Sequence, residues 1–238
     1  MRIAIIVPAY NEEKAIAAVV NDMLVMAAEN KLPIDVIVVN DCSKDSTSEI
    51  ISRQSCIALD LPVNLGIGGA VQTGFMYAFE NGYDFAVQAD GDGQHPAFEI
   101  PKLVEAAIRE NADVVIGSRF LKKEGFQSSG LRRAGINYFR RLNKMLVGVE
   151  VYDSTSGFRL LSRRVLEVVS EYYPDEYPEP EAIILYSLNK FKIVEVPVKM
   201  KERQGGVSSI GRSSSVYYMF KVTLAILYTF IRIKFRKK

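Results

Sequence analysis

The sequence is poor in the features that mark several common protein classes. It has only two cysteines, Cys42 and Cys56, and neither metal nor redox spacing joins them. They read as reduced thiols of a cytosolic protein, with Cys42 a packed side chain. No signal peptide precedes the first strand-like run, and there is no internal repeat or low-complexity linker. Glycine is missing where a dinucleotide fingerprint needs it, because Pro8-Ala9-Tyr10-Asn11-Glu12 follows the first apolar run. Gly66-Ile67-Gly68-Gly69 comes later and lacks the third spaced glycine. No glycine loop ends in Lys-Ser or Lys-Thr, which excludes a Walker site. A nucleotide diphosphate held through a metal fits these absences better than one cradled by a glycine loop.

What is present is a chain of 238 residues with ordinary apolar content, one large domain or two small ones, long enough to bury a full α/β core. The formal charge of +2 hides an asymmetry. Five of the 30 basic residues, Arg232, Lys234, Arg236, Lys237 and Lys238, sit in the tail, so the rest carries 25 against 28 acidic. A mildly acidic body with a basic tail excludes a general nucleic-acid binder, which would spread basic charge over one face.

Short apolar runs alternate with helical stretches through the first half. Strands are expected at Arg2–Val7, Ile34–Val39, Ser55–Leu59, Phe85–Ala89 and Asp113–Ile116. Helices are expected from about Glu12, capped by Asn11, to Glu29, then to Arg53 from a cap at Asp45 or Ser46, from Gly68 to Asn81 and from Glu99 to Arg109. That order predicts a parallel, doubly wound sheet. Tyr10, Asp41 and the pair Asp90/Asp92 then stand at carboxyl ends of strands and line one crevice. The second half reads as helices over Leu131–Val147, Ser162–Glu171 and Glu181–Asn189, and an edge strand over Lys192–Met200 that holds Pro197.

The most informative stretch is Asp90-Gly91-Asp92-Gly93-Gln94, at the end of the fourth strand. Two carboxylates and an amide at alternate positions are hard oxygen ligands, suited to Mg²⁺ or Mn²⁺ with water and phosphate completing the shell. The glycines let the backbone bend and a ligand approach. A helix start, not a second strand, follows, so a hairpin turn is the poorer reading. His95 reads as a helix-entry residue rather than a base.

In order along the chain stand Val7-Pro8-Ala9-Tyr10-Asn11-Glu12-Glu13, Asn40-Asp41-Cys42-Ser43-Lys44-Asp45, Asn64-Leu65-Gly66, Asp90 through Pro96, Gly117-Ser118-Arg119, Ser156-Gly157-Phe158-Arg159 and Arg203 through Ser209. With these pieces the chain resembles family 2 glycosyltransferases of the GT-A fold, and more narrowly the polyprenyl-phosphate glycosyltransferases such as dolichyl-phosphate mannosyltransferase. The resemblance implies a Rossmann-like, mostly parallel sheet flanked by helices over residues 1–212; residues 213–238 are expected, from their own pattern, to form a C-terminal membrane-associating helix. It implies that Pro8, Tyr10, Glu12, Asp41 and Gly66 hold the donor nucleotide. Asp90, Asp92 and Gln94 would hold the metal and, through it, the diphosphate. Arg119 and Arg133 would meet the acceptor phosphate, and Arg203, Ser208 and Ser209 would close over the diphosphate. Glu181 falls where the family often has an acid near the active site.

The implied reaction is an inverting transfer from a nucleotide-diphosphate sugar to a polyprenyl phosphate, with metal and Arg203 neutralising the leaving diphosphate. The alternatives are a transferase that extends a lipid-linked or cell-wall saccharide, and a non-catalytic nucleotide-sugar-binding subunit. A sugar hydroxyl needs a base, for which Asp153 or Glu181 is the candidate. A phosphate monoester, with a second pKa of about 6, is already anionic and needs arginines instead.

Val216–Ile231 is apolar apart from Lys221, Thr223 and Thr229. As a helix its 16 residues span about 24 Å, short of the ~30 Å hydrocarbon core. It reads as embedded in a membrane interface, or packed on a small membrane protein or a second copy, with its basic end toward anionic lipid. At about 1 kcal/mol per charge the tail contributes up to roughly 5 kcal/mol, less in salt. The location expected is the cytoplasmic face of a membrane, peripheral or C-terminally anchored.

Overall fold

The computed structural model describes residues 1–122, 130–175, 178–201 and 215–236. Its seven strands are β1 (Ile3–Ala9), β2 (Ile34–Asn40), β3 (Ile57–Asp60), β4 (Phe85–Gln88), β5 (Val114–Ser118), β6 (Arg159–Ser162) and β7 (Ile193–Pro197). They form one sheet in the order β3-β2-β1-β4-β6-β5-β7. The helices are α1 (Ile16–Glu29), α2 (Thr47–Ser52), α3 (Gly66–Glu80), α4 (Ile100–Glu110), α5 (Gly130–Val147), α6 (Arg163–Glu171), α7 (Pro178–Leu188) and α8 (Ser215–Arg236).

The central strand β1 is buried along its whole length. Because side chains alternate across a strand, Ile3, Ile5 and Val7 enter the core under α1 and α4, while Ala4 and Ile6 enter the one under α3 and α6. Both faces are therefore covered, and β1 and β2 read as continuous apolar runs for that reason.

The sheet is mostly parallel, as expected, with one reversed strand. Strand β6 runs antiparallel to both β4 and β5, with Gln88 and Ile116 each opposite Arg159. No strand is expected over Arg159–Ser162 from the sequence, because a four-residue strand opening on arginine carries little pattern. Since β6 is reversed, its amino end lies beside the carboxyl ends of β4 and β5. This brings the Ser156–Arg159 stretch to the same end as the Asp90–Gln94 loop. Strand β7 pairs with β5 alone and is an edge strand, as Pro197 requires.

The start of α1 also differs from expectation. Asn11 is left-handed, with φ of 56°, and does not cap the helix. Its backbone N–H donates to Ser43 Oγ, and its Oδ1 accepts from the Lys44 N–H. The Glu12 N–H donates to Thr47 Oγ1 at 2.8 Å. These donors are satisfied by the loop after β2, so the helix begins four residues later than Glu12, at Ile16. Asp45 is the effective cap of α2, its Oδ1 accepting from the Thr47 N–H at 3.0 Å.

Helix α8 docks on α5 and α7. Val222, Ile226 and Thr229 are fully buried there, in a cluster with Phe139, Leu142 and Ile184. Among the described residues no helix is long and apolar enough to cross a membrane.

Candidate active site

The carboxyl ends of β1, β2, β4 and β5 and the amino end of β6 meet at one edge of the sheet. Pairing of Ala9 with Asn40 and of Ile6 with Gln88 puts Tyr10, Asp41 and Asp90 just past the ends of adjacent strands. Pro8 is buried at this edge and Tyr10 is exposed. A side chain at residue 91 would come within 2.9 Å of the Pro8 carbonyl, so only glycine lets the loop lie this close to β1.

Asp41 is buried and its carboxylate is engaged. Oδ1 accepts from the Leu65 N–H at 2.6 Å and Oδ2 from the Gly66 N–H at 2.9 Å. An anion thus sits on the first turn of α3, where backbone donors lack helical partners. This fixes Gly66, and Asn64 closes the contact by donating to the Asp41 carbonyl.

Within the acidic loop Asp92 is almost fully buried, and its Oδ1 accepts from the Gln94 N–H at 2.9 Å. Asp90 keeps about a third of its side chain exposed, 32%. His95 Nδ1 accepts from the Asp90 N–H at 3.0 Å, which leaves its proton on Nε2, 3.8 Å from Asp90 Oδ2. The ring is buried and stacks on Phe158 at 4.9 Å. His95 is therefore a brace inside the loop. The Gln94 carbonyl accepts from the Lys201 N–H, tying the loop to the chain beyond β7.

Two carboxylates and an amide in one turn are the right donors for Mg²⁺ or Mn²⁺. Among the described residues no cluster of three or more His, Cys, Asp or Glu makes a complete cage. The partial set suits a cation that keeps water and takes phosphate oxygens.

Arg119, at the end of β5, is buried against Asp153. Its Nε donates to Asp153 Oδ2 at 2.8 Å and its Nη2 to Oδ1 at 2.7 Å, and its backbone N–H adds a third bond to Oδ2. Burial disfavours its charge, but the bonds and charge of Asp153, with Asp90 and Glu179, outweigh this and raise the pKa. Arg133 is exposed on α5, and both guanidinium groups lie over the Phe120 ring, at 5.4 Å for Arg119 and 5.9 Å for Arg133. The structure therefore brings together Arg119, Arg133 and the acidic loop. Arg203, Ser208 and Ser209 lie outside the described residues.

Both expected bases are committed elsewhere. Asp153 is fully buried in its bidentate pair. Glu181 turns toward α8, where its Oε1 accepts from Thr229 Oγ1 at 2.5 Å and from Tyr172 OH at 3.3 Å. Burial raises the Glu181 pKa against those two hydrogen bonds. The acid facing the site is Glu179 instead. Burial raises its pKa and Asp90 adds to the effect, while Arg159 and Arg119 oppose it. Pro178-Glu179-Pro180-Glu181 offers two acids two residues apart at a helix start, and the sequence holds nothing that says which one turns inward. Arg159 decides it. This wholly buried side chain donates to the carbonyls of Ser154, Ser156 and Glu179, pinning the start of α7 to the loop before β6.

Residues 4–170 match glycosyl transferase family 2. The chain is 34% identical to the UDP-N-acetylglucosamine–dolichyl-phosphate N-acetylglucosaminyltransferase of Methanococcus voltae, over 94% of each chain. It is 29% identical to the polyprenol monophosphomannose synthase of Mycolicibacterium smegmatis, over 93% of this chain and 85% of that one. A solved glucosyl-3-phosphoglycerate synthase from Mycobacterium tuberculosis, with Mn²⁺, UDP and glucosyl-3-phosphoglycerate, superposes with a TM-score of 0.66 at 16% identity, over 98% of this chain and 79% of that one. The fold is thus GT-A-like, and the chain belongs to glycosyl transferase family 2, the enzymes that transfer sugars.

Proposed function

We propose that this enzyme transfers a sugar, with inversion, from a nucleoside-diphosphate sugar to a polyprenyl phosphate at a membrane surface. One observation carries the reading. The expected bases, Asp153 and Glu181, are sealed in hydrogen bonds, while two arginines flank Phe120 beside the acidic loop. That arrangement suits an acceptor that arrives as an anion and needs placement rather than deprotonation. The printed names of the relatives, which act on dolichyl and polyprenol phosphates, support it.

Asp90, Asp92 and Gln94 would hold a divalent cation, which neutralises the departing diphosphate when bound. The protein's own groups do the rest. Asp41 fixes the first turn of α3 beside the donor crevice, with Pro8, Tyr10, Glu12 and Gly66 around the nucleotide. His95 holds the Asp90 backbone. Arg119, immobilised by Asp153, holds a guanidinium at one place beside the loop, and Arg133 would reach the acceptor phosphate from α5. Arg203, Ser208 and Ser209 would close the donor side.

The outward face of α8 supports a membrane location, and the cytoplasmic side is our proposal. Tyr217, Phe220, Leu224, Tyr228, Ile231 and Phe235 recur at spacings of three and four residues and are all more than half exposed. Lys221, Arg232, Lys234 and Arg236 share the helix, which has no acidic residue. An apolar stripe with basic flanks fits the interface of an anionic bilayer, with residues 213–238 as the docking segment. A small membrane protein or a second copy is the other occupant of that face.

Glu179 favours a second reading, in which the acceptor is a lipid-linked or cell-wall saccharide and Glu179 takes the proton of its hydroxyl. The test is incubation with Mg²⁺ or Mn²⁺, labelled nucleotide sugars, and either undecaprenyl or dolichyl phosphate or defined saccharides. Label entering the lipid, and lost in Asp92→Ala, is the expected result. Label entering only saccharide, and lost in Glu179→Gln, overturns the lipid-phosphate reading.

A further inference from the structure

Gln88, the last residue of β4, is fully buried, and neither Oε1 nor Nε2 has a hydrogen-bond partner among the described residues. An amide left so is costly unless something small and polar completes it. The residue that shapes its surroundings is Gly157. A Cβ on Gly157 would stand 3.1 Å from Gln88 Nε2, 3.5 Å from Asp90 Oδ1 and 3.6 Å from Glu179 Oε1. One donor and two acceptors therefore gather about the bare Cα of a glycine. Their placement is rigid. Gln88 is fixed by pairing with Ile6 on one side and Arg159 on the other, and Glu179 is held at its backbone by Arg159.

We infer that Gln88 is a positioning residue for the acidic loop, acting through a water seated against Gly157. A water accepts one hydrogen bond from Nε2 and donates two, one to each carboxylate, which matches the three groups present. The effect is to hold Asp90 in one orientation toward a bound cation, as the partners behind a metal ligand commonly do. This rests on the reading that Asp90, Asp92 and Gln94 bind a divalent metal.

The experiment is titration of the purified full chain with Mn²⁺ in the presence of UDP, followed by electron paramagnetic resonance, with melting temperature recorded alongside. Gln88→Met keeps length and volume but removes both polar atoms. Gly157→Ala puts a methyl 3.1 Å from Gln88 Nε2 and crowds the water out. Each is expected to weaken Mn²⁺ binding by about 10- to 100-fold. The melting temperature separates a loss of metal binding from a loss of folding. The inference is overturned if Gln88→Met, folded as the wild type, binds Mn²⁺ as the wild type does. If Gly157→Ala does not fold, Gln88→Met decides alone. Wild-type protein that binds no Mn²⁺ removes the metal reading together with this inference. Wild-type binding left unaltered in both variants removes this inference only.

Discussion

Replacing Asp153 by asparagine tests whether Arg119 is held in place by charge. The substitution keeps the volume and turns one acceptor oxygen into a donor that faces the donors of Arg119. Breaking a buried ion pair on one side costs about 3–5 kcal/mol, because the partner stays buried and charged. Asp90 and Glu179 still attract Arg119, so the lower end, about 3 kcal/mol, is expected. For a chain of this size each kcal/mol moves the melting temperature by about 2–4 °C, giving a fall of roughly 6–12 °C. Calorimetry measures it, with urea unfolding as a second reading. The double variant Arg119→Met/Asp153→Leu should recover most of that loss, since an apolar pair of similar volume often matches a buried ion pair. It should not recover sugar transfer, because the guanidinium is gone. A cost below about 1 kcal/mol for Asp153→Asn would refute the argument that this pair is both desolvated and tightly coupled. Near wild-type transfer by the double variant would remove Arg119 from the chemistry.

Three further outcomes follow from the same geometry. Asp92→Ala should lower turnover by about 10²- to 10³-fold, and EDTA should abolish transfer until Mg²⁺ or Mn²⁺ is restored, as radiolabel assays would show. Leu224→Glu, on the exposed face of α8, should weaken binding to anionic vesicles by about tenfold or more without moving the melting temperature, because a side chain worth about 1.5–3 kcal/mol in apolar surroundings is lost outside the core. Burial raises the pKa of Glu181 in the folded protein, so the folded state holds that proton more tightly than the unfolded one. Its contribution to stability is then present at low pH and declines as pH rises from the ordinary glutamate range through the raised folded value. Glu181→Gln should flatten that decline in melting curves taken across pH, and an unchanged slope would assign the effect to other acids.

Much of the donor side was legible because each motif sits at a strand end, and strands with continuous apolar runs announce themselves. Ile3–Ala9, Ile34–Asn40 and Phe85–Gln88 are such runs, and a parallel sheet must deliver Tyr10, Asp41 and Asp90 to one edge. The acceptor side was less legible because it depends on a reversal. Strand β6 is four residues long, opens on a buried arginine and runs against its neighbours, so neither length nor periodicity marks it. Without it, Arg159 cannot be seen to fix the start of α7, and the choice between Glu179 and Glu181 stays open. Asp153 is hidden for the same reason. Its partner Arg119 is 34 residues away and meets it only because β5 and β6 are adjacent. What local pattern conveys is which groups lie at strand ends. What it omits is which of those charges are already spent on one another. In this enzyme that second fact bears most on the acceptor, since two of its three candidate bases are committed to Arg119 and to Thr229. A saccharide acceptor would have to rely on Glu179 alone, whereas a phosphate acceptor needs no base and would meet Arg133 beside the Arg119–Asp153 pair.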